Sequence, residues 1–212
     1  MAKVSKNEIL QACIDGIEQS FNEYLMWTGN TEWLWNAPEY LITVNIAKEL
    51  WKIDKDAKYI TLEDNIKYML SEANAKMKGQ LERKARGNGR SDIVFWWGKG
   101  TPRGIIEVKN AVYKKEDIQE DLDRIFALLK KKSDIEFGVL AFYVDKHFKS
   151  GNAEKKIQDR LQEKFLDVIE SEVIEKGLKF KTLSTNIAAN NDNVNIDEDT
   201  DAAFGTAIMI YK

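Results

Sequence analysis

The sequence predicts a mixed α/β domain in which a central β-sheet is flanked by α-helices. Three observations carry that expectation. In several segments apolar residues recur at three- and four-residue spacing, the period of a helix with one buried face. Two short runs, 91–97 and 104–109, are rich in β-branched and aromatic residues and are joined by the turn-forming Gly98-Lys-Gly-Thr-Pro-Arg103. The run 137–144 is almost wholly apolar over the length of a strand, as expected for a central buried strand.

Taken in order, the first helix spans 6–26, with Leu10, Cys13, Ile14, Ile17, Phe21 and Leu25 on one stripe. Pro38 suits a first helical position, and the helix it opens runs to Trp51. That segment is apolar most of the way round, which predicts burial on several sides. Thr61 with Asp64 resembles a capping box and predicts a third helix, with Leu62, Ile66, Met69, Leu70 and Ala73 inward. The hairpin 91–109 follows. A helix over 115–132 then carries Ile118, Leu122, Ile125, Phe126 and Leu129 inward, ahead of the strand 137–144. A long helix over 153–176 carries Ile157, Leu161, Phe165, Val168 and Ile169, and strands near 178–184 and 203–211 flank the polar loop 190–201. At 212 residues the chain is long enough for one full core and short for two. A single domain is expected, with 1–37 an N-terminal helical extension and 146–212 a C-terminal helix and strands.

Composition excludes several classes. Cys13 is the only cysteine, so neither an internal disulfide nor a cysteine-cluster zinc site is available. The single histidine, His147, rules out multi-histidine metal sites, and no serine-hydrolase nucleophile elbow is present. The acidic loop 190–201 lacks the ligand spacing and central glycine of a calcium loop. No apolar run is long enough to span a membrane, and the polar N-terminus lacks the apolar region of a signal peptide, so a cytoplasmic location is expected.

Charge is unevenly spread. The chain carries a net −3, yet residues 76–115 hold eleven Lys/Arg against three acids, a net of +8. A basic island in an otherwise acidic protein attracts polyanions locally. Lys84, Arg86, Arg90, Lys99 and Arg103 within it are the candidate nucleic-acid contacts. Trp27, Trp33, Trp35 and Trp51 read first as core and helix-packing residues, and second as surfaces on which bases stack.

Chemistry concentrates on the hairpin. Strand side chains alternate faces, so Asp92 on one strand shares a face with Glu107 and Lys109 on the other. Two registers are open. With a two-residue Lys99-Gly100 turn Asp92 lies opposite Glu107, and with a turn two residues longer it lies opposite Lys109. Either places two carboxylates and an ammonium within cross-strand reach among Ile105, Ile106 and Val108. Clustered carboxylates repel one another, and a hard divalent cation with oxygen ligands relieves the conflict.

Gly89-Arg-Ser-Asp92-Ile-Val94 followed by Ile105-Ile-Glu107-Val-Lys109 resembles the core motif of the PD-(D/E)XK nuclease superfamily. Ser91 stands where the proline of the motif would be. The resemblance spans 38–145 and implies a restriction-endonuclease-like core. It further implies Asp92, Glu107 and Lys109 as catalytic residues, and Mg²⁺, with Mn²⁺ as substitute, held by Asp92 and Glu107. Many members add an acid from an upstream helix. Glu39 is the candidate for that ligand and Glu82 the runner-up, while Gln119 and Asp121 on the following helix are minor candidates. The implied activity is hydrolysis of phosphodiester bonds, in DNA before RNA. The competing expectation is a catalytically silent nucleic-acid-binding subunit of the same fold. A homodimer or a protein partner fits either.

Overall fold

A computed structural model describes residues 3–53, 58–75, 89–149, 151–189 and 200–212. Its first helix, α1 (Lys6–Trp27), begins at Ser5. The Ser5 hydroxyl accepts from the Glu8 N–H at 3.3 Å, and the Glu8 carboxylate accepts from the Ser5 N–H at 2.8 Å. This reciprocal pair satisfies donors that a helix start leaves without intrahelical partners. A 3₁₀ turn (Leu34–Asn36) leads to α2 (Glu39–Lys52), with Pro38 at the capping position just before it. The two helices approach closely at Gly16, where a Cβ would sit 2.5 Å from the Ile46 Cα. Contrary to the expected burial on several sides, α2 buries one stripe, Ile42, Thr43, Asn45, Ile46 and Leu50, and exposes Tyr40 and Trp51.

The segment read as the start of a third helix is instead a strand, β1 (Lys58–Asn65), antiparallel to β2 (Arg90–Trp97). Thr61 and Asp64 do touch, but the Thr61 hydroxyl also accepts from the Trp96 indole N–H at 2.7 Å, and Tyr59 stacks on the Trp96 ring. Pairing with β2 outweighs the local capping signal. The helix α3 (Ile66–Glu72) begins later, capped by the Asn65 carboxamide. Ile66, Met69 and Leu70 point inward as expected, whereas Leu62 packs on the opposite face of the sheet.

The hairpin partner of β2 is β3 (Pro102–Lys109), and after a 3₁₀ turn (Lys115–Asp117) comes α4 (Gln119–Lys130). This crossover helix returns the chain to β4 (Phe137–His147), which runs parallel to β3. Then follow α5 (Ala153–Leu161), a π turn (Gln162–Leu166), α6 (Asp167–Glu175), β5 (Lys179–Asn186) and β6 (Asp201–Tyr211). Val168, expected on the buried stripe of this helix, is exposed just beyond the π turn, while Phe165, Ile169 and Val173 continue the buried face.

The result is an α/β architecture built on one mixed six-stranded sheet, ordered β1-β2-β3-β4-β6-β5. Of its neighbouring pairs only β3 and β4 are parallel. One apolar cluster joins the sheet to α1 and α2, and the other joins its opposite face to α3, α4, α5 and α6. β6 pairs with β4 along its whole length, so the C-terminal strands complete the sheet. Among the described residues no helix is long and apolar enough to cross a membrane.

Candidate active site

Alternation along the hairpin positions the site. Ile93, Phe95, Ile106 and Val108 enter the cluster beneath α1 and α2, while Val94, Trp96 and Ile105 enter the cluster beneath α4. Asp92, Glu107 and Lys109 therefore share the α4 face. The ladder pairs Ile93 with Ile106, Val94 with Ile105 and Phe95 with Gly104, then shifts by one residue at a bulge between Phe95 and Trp96. Continued one step past Ile93, it sets Asp92 opposite Glu107, the first of the two registers weighed from sequence. The Val108 N–H donates to Asp92 Oδ2 at 2.7 Å.

Two helices and a turn complete the constellation. From α4, Arg124 pairs through Nη1 with Oε2 of the fully buried Glu107. Asp121, one turn earlier, lies 3.4 Å from Lys109 Nζ through Oδ2 and 3.5 Å from Arg124 Nη2 through Oδ1. Glu39 reaches over the end of the sheet from the opposite helix layer. Its carboxylate accepts from Lys109 Nζ at 3.3 Å and from the Asn110 N–H at 3.1 Å. The Asn110 carboxamide in turn donates to the Leu34 and Ala37 carbonyls at 2.8 and 2.9 Å, tying the turn before α2 to the residue after Lys109.

Four carboxylates (Glu39, Asp92, Glu107, Asp121) thus meet two cations (Lys109, Arg124), an excess of two negative charges when all are ionised. Asp92, Asp121, Lys109 and Arg124 of this group line a polar cleft of about 350 Å³ together with Arg90 and three further acids, Glu116, Asp117 and Glu120. Burial is the main cause that pushes Asp92 up to about 6. The Val108 N–H and Lys109 oppose it, while Glu39 and Asp121 add to it. Burial likewise pushes Glu107 up to about 8, against Arg124 and with Asp92 and Asp121. For Lys109, burial disfavours the ammonium, but Asp121, Glu39 and Asp92 together hold its pKa above the ordinary lysine value.

A divalent cation matches this donor set in type and charge. Among the described residues no three acidic, histidine or cysteine side chains are already grouped as a metal cage. Mg²⁺ needs fewer, because one or two carboxylates suffice when water and phosphate supply the remaining oxygens. Among the described residues Glu107 Oε1 is buried without a hydrogen-bond donor, and Asp121 Oδ2 has only the Lys109 ammonium 3.4 Å away. Such orphaned acceptors are costly unless something polar fills the gap. Asp92 and Glu107 could hold the ion; Glu39, the third expected ligand, accepts from Lys109 Nζ and the Asn110 N–H and does not line the cleft.

The remaining candidates separate. Arg90 is exposed and lines the cleft. Lys84, Arg86 and Glu82 lie outside the described residues. Lys99 sits in the hairpin turn, seven residues along the strand from Asp92 and so roughly 23 Å away. Arg103, expected to contact nucleic acid, is only 2% exposed. Its guanidinium packs 4.4 Å from the Trp97 ring centre, against Phe95 and Phe137, and pairs with Glu136 at 3.2 Å. A cation held in an aromatic cage is structural, so the basic island is not one surface. Gln119 bonds Asp123 and does not line the cleft. Trp33 packs edge-on against Phe21, but Trp27, Trp35 and Trp51 are exposed, so three of the four tryptophans are not core.

Arg124 and Asn110 were not singled out from sequence, and Asp121 ranked low. A signal was present: Asp121 and Arg124 stand three apart on a helix otherwise apolar at Leu122, Ile125 and Leu128, which places both on one face. Comparison with protein-family models, curated proteins and solved structures finds no match for this chain.

Proposed function

We propose that the protein is a metal-dependent nuclease of PD-(D/E)XK type that hydrolyses phosphodiester bonds, with DNA the expected substrate. One observation carries the reading: Asp92, Glu107 and Lys109 converge on one face of a hairpin beside a polar cleft, with more negative charge than the local cations offset. The order of hairpin, crossover helix and parallel strand supports the restriction-endonuclease-like core.

The reaction adds water to phosphorus and breaks a P–O bond, leaving a phosphate monoester and a hydroxyl. Mg²⁺ held by Asp92 and Glu107 would supply a Lewis acid and a counter-charge for the phosphate oxygens. Lys109, kept protonated by Glu39 and Asp121, offers a fixed donor for the attacking water or for charge developing on the phosphate. Arg90 at the cleft is placed to meet the nucleic-acid backbone.

The test is incubation with plasmid, linear and single-stranded DNA in Mg²⁺ or Mn²⁺ against EDTA. Asp92→Ala, Glu107→Ala and Lys109→Ala should each abolish most cleavage while the far-UV spectrum stays native, and double variants should be little worse than single ones. Wild-type activity in any one of them defeats the assignment. A silent nucleic-acid-binding subunit is favoured by a different observation, the occupation of Glu107 by Arg124. DNA binding without cleavage in either metal would establish that alternative.

A further inference from the structure

We infer that Arg124 is a resident counter-ion of the buried acids, which a divalent cation displaces, and that the freed guanidinium then grips the substrate phosphate, so that cation and phosphate bind as a coupled pair. This rests on the proposed metal-dependent reading of the site. The argument begins from unfinished pairing. A structural ion pair buried away from water is favourable only when its remaining lone pairs and protons find partners. Here they do not. Arg124 is 6% exposed and Glu107 fully buried, yet among the described residues Glu107 Oε1 and Arg124 Nε have no hydrogen-bond partner. Asp121 Oδ1 lies 3.5 Å from Arg124 Nη2, and Asp121 Oδ2 meets the Lys109 ammonium at 3.4 Å, not the guanidinium. A fork of donors facing two carboxylates makes one direct bond, where a bidentate pair would make two.

A divalent cation completes what the guanidinium leaves undone, because it takes hard carboxylate oxygens directly. It also repels the guanidinium that shares Glu107. Arg124 has somewhere to go, since it already lines the cleft beside Arg90 and Lys109. The cleft is otherwise rich in acids, so a phosphate entering it needs positive charge that the metal-free site has committed elsewhere. Planar, bidentate recognition of phosphate is the chemistry for which a guanidinium is suited and an ammonium is not. The change is an exchange of non-covalent partners in which no bond is made or broken.

Mn²⁺ binding measured by calorimetry and by electron paramagnetic resonance, at pH 8 without nucleic acid, tests this, with inorganic phosphate as the second ligand. Wild type should bind Mn²⁺ at least about fivefold more tightly when phosphate is present. Arg124→Met should bind Mn²⁺ alone at least about tenfold more tightly than wild type and gain less from phosphate than wild type does, keeping only the coupling that direct metal–phosphate contact supplies. Equal or weaker Mn²⁺ binding by Arg124→Met, or a phosphate effect as large as that of wild type, overturns the inference. Should that variant fail to fold, the Nε–H signal of Arg124 in wild type, assigned by its loss in Arg124→Lys, decides. It should move on adding Mg²⁺ and again on adding phosphate, and a stationary signal overturns the inference. Failure of the nuclease reading looks different: wild type then binds no Mn²⁺, or Asp92→Ala binds it as well as wild type does.

Discussion

Replacing Asp92 by asparagine should stabilise the metal-free protein at alkaline pH, although it removes a charge beside a lysine. Among the described residues the Asp92 carboxylate forms no close ion pair; Oδ2 takes its hydrogen bond from the Val108 N–H, and the oxygen of an asparagine can keep that bond. The groups around it are Lys109, which favours the charge, and Glu39 and Asp121, which oppose it together with burial. Its folded pKa is raised from 3.8 to about 6. The sign follows from linkage. A raised carboxylate keeps its proton longer in the folded state, so its cost is absent below the unfolded value and complete above the folded one. At about 1.4 kcal/mol per unit the cost is roughly 3 kcal/mol at pH 8 and about 0.5 kcal/mol at pH 4. Urea unfolding in EDTA should therefore show Asp92→Asn more stable than wild type by up to about 3 kcal/mol at pH 8, the gain shrinking as pH falls through 6 toward 4. Adding Mg²⁺ or Mn²⁺ should stabilise wild type, by about 2.7 kcal/mol at a hundredfold excess over Kd, and leave the variant almost unmoved. An asparagine variant markedly less stable than wild type at pH 8 in EDTA, with no metal effect on wild type, would refute the reasoning. It would show Asp92 to be a structural partner of Lys109.

Other outcomes follow from packing and placement. Gly16→Ala drives a methyl into the Ile46 backbone at 2.5 Å, so α1 and α2 must separate, with a loss of about 1–3 kcal/mol or more in thermal unfolding. Ala111 holds a left-handed φ of 54° two residues beyond Lys109, so Ala111→Gly should raise stability by about 1 kcal/mol in the same assay, and an unchanged or lowered stability would refute that strain. Arg90→Ala should reduce the salt slope of DNA binding by about 1, whereas Arg103→Ala should lower stability and leave the slope unchanged. The reverse pattern would put the nucleic-acid surface at the hairpin tip.

Some of this was legible from local spacing alone. The period of α1 and α4 follows from apolar residues a helical turn apart, and their buried stripes match that spacing. That Asp92, Glu107 and Lys109 share a face needed only the alternation of a strand, and the two candidate registers differed by two residues, which keeps that face. What the sequence left open depended on which surfaces meet. Thr61 and Asp64 carry a true capping signal, yet β2 offers that segment a full ladder and a tryptophan to stack on, and the strand prevails. Arg103 looks like any basic residue until Trp97, Phe137 and Glu136 close around it. Glu39 reaches Lys109 across seventy positions because Asn110 ties the turn before α2 to the end of β3, and Arg124 reaches Glu107 because α4 must cross the sheet to make β4 parallel to β3. Periodicity is a property of neighbours in the chain. Desolvation and the pairing of charges depend on neighbours in space, so the burial of Glu107 and its pairing with Arg124 were settled only when the helix layer closed over the sheet.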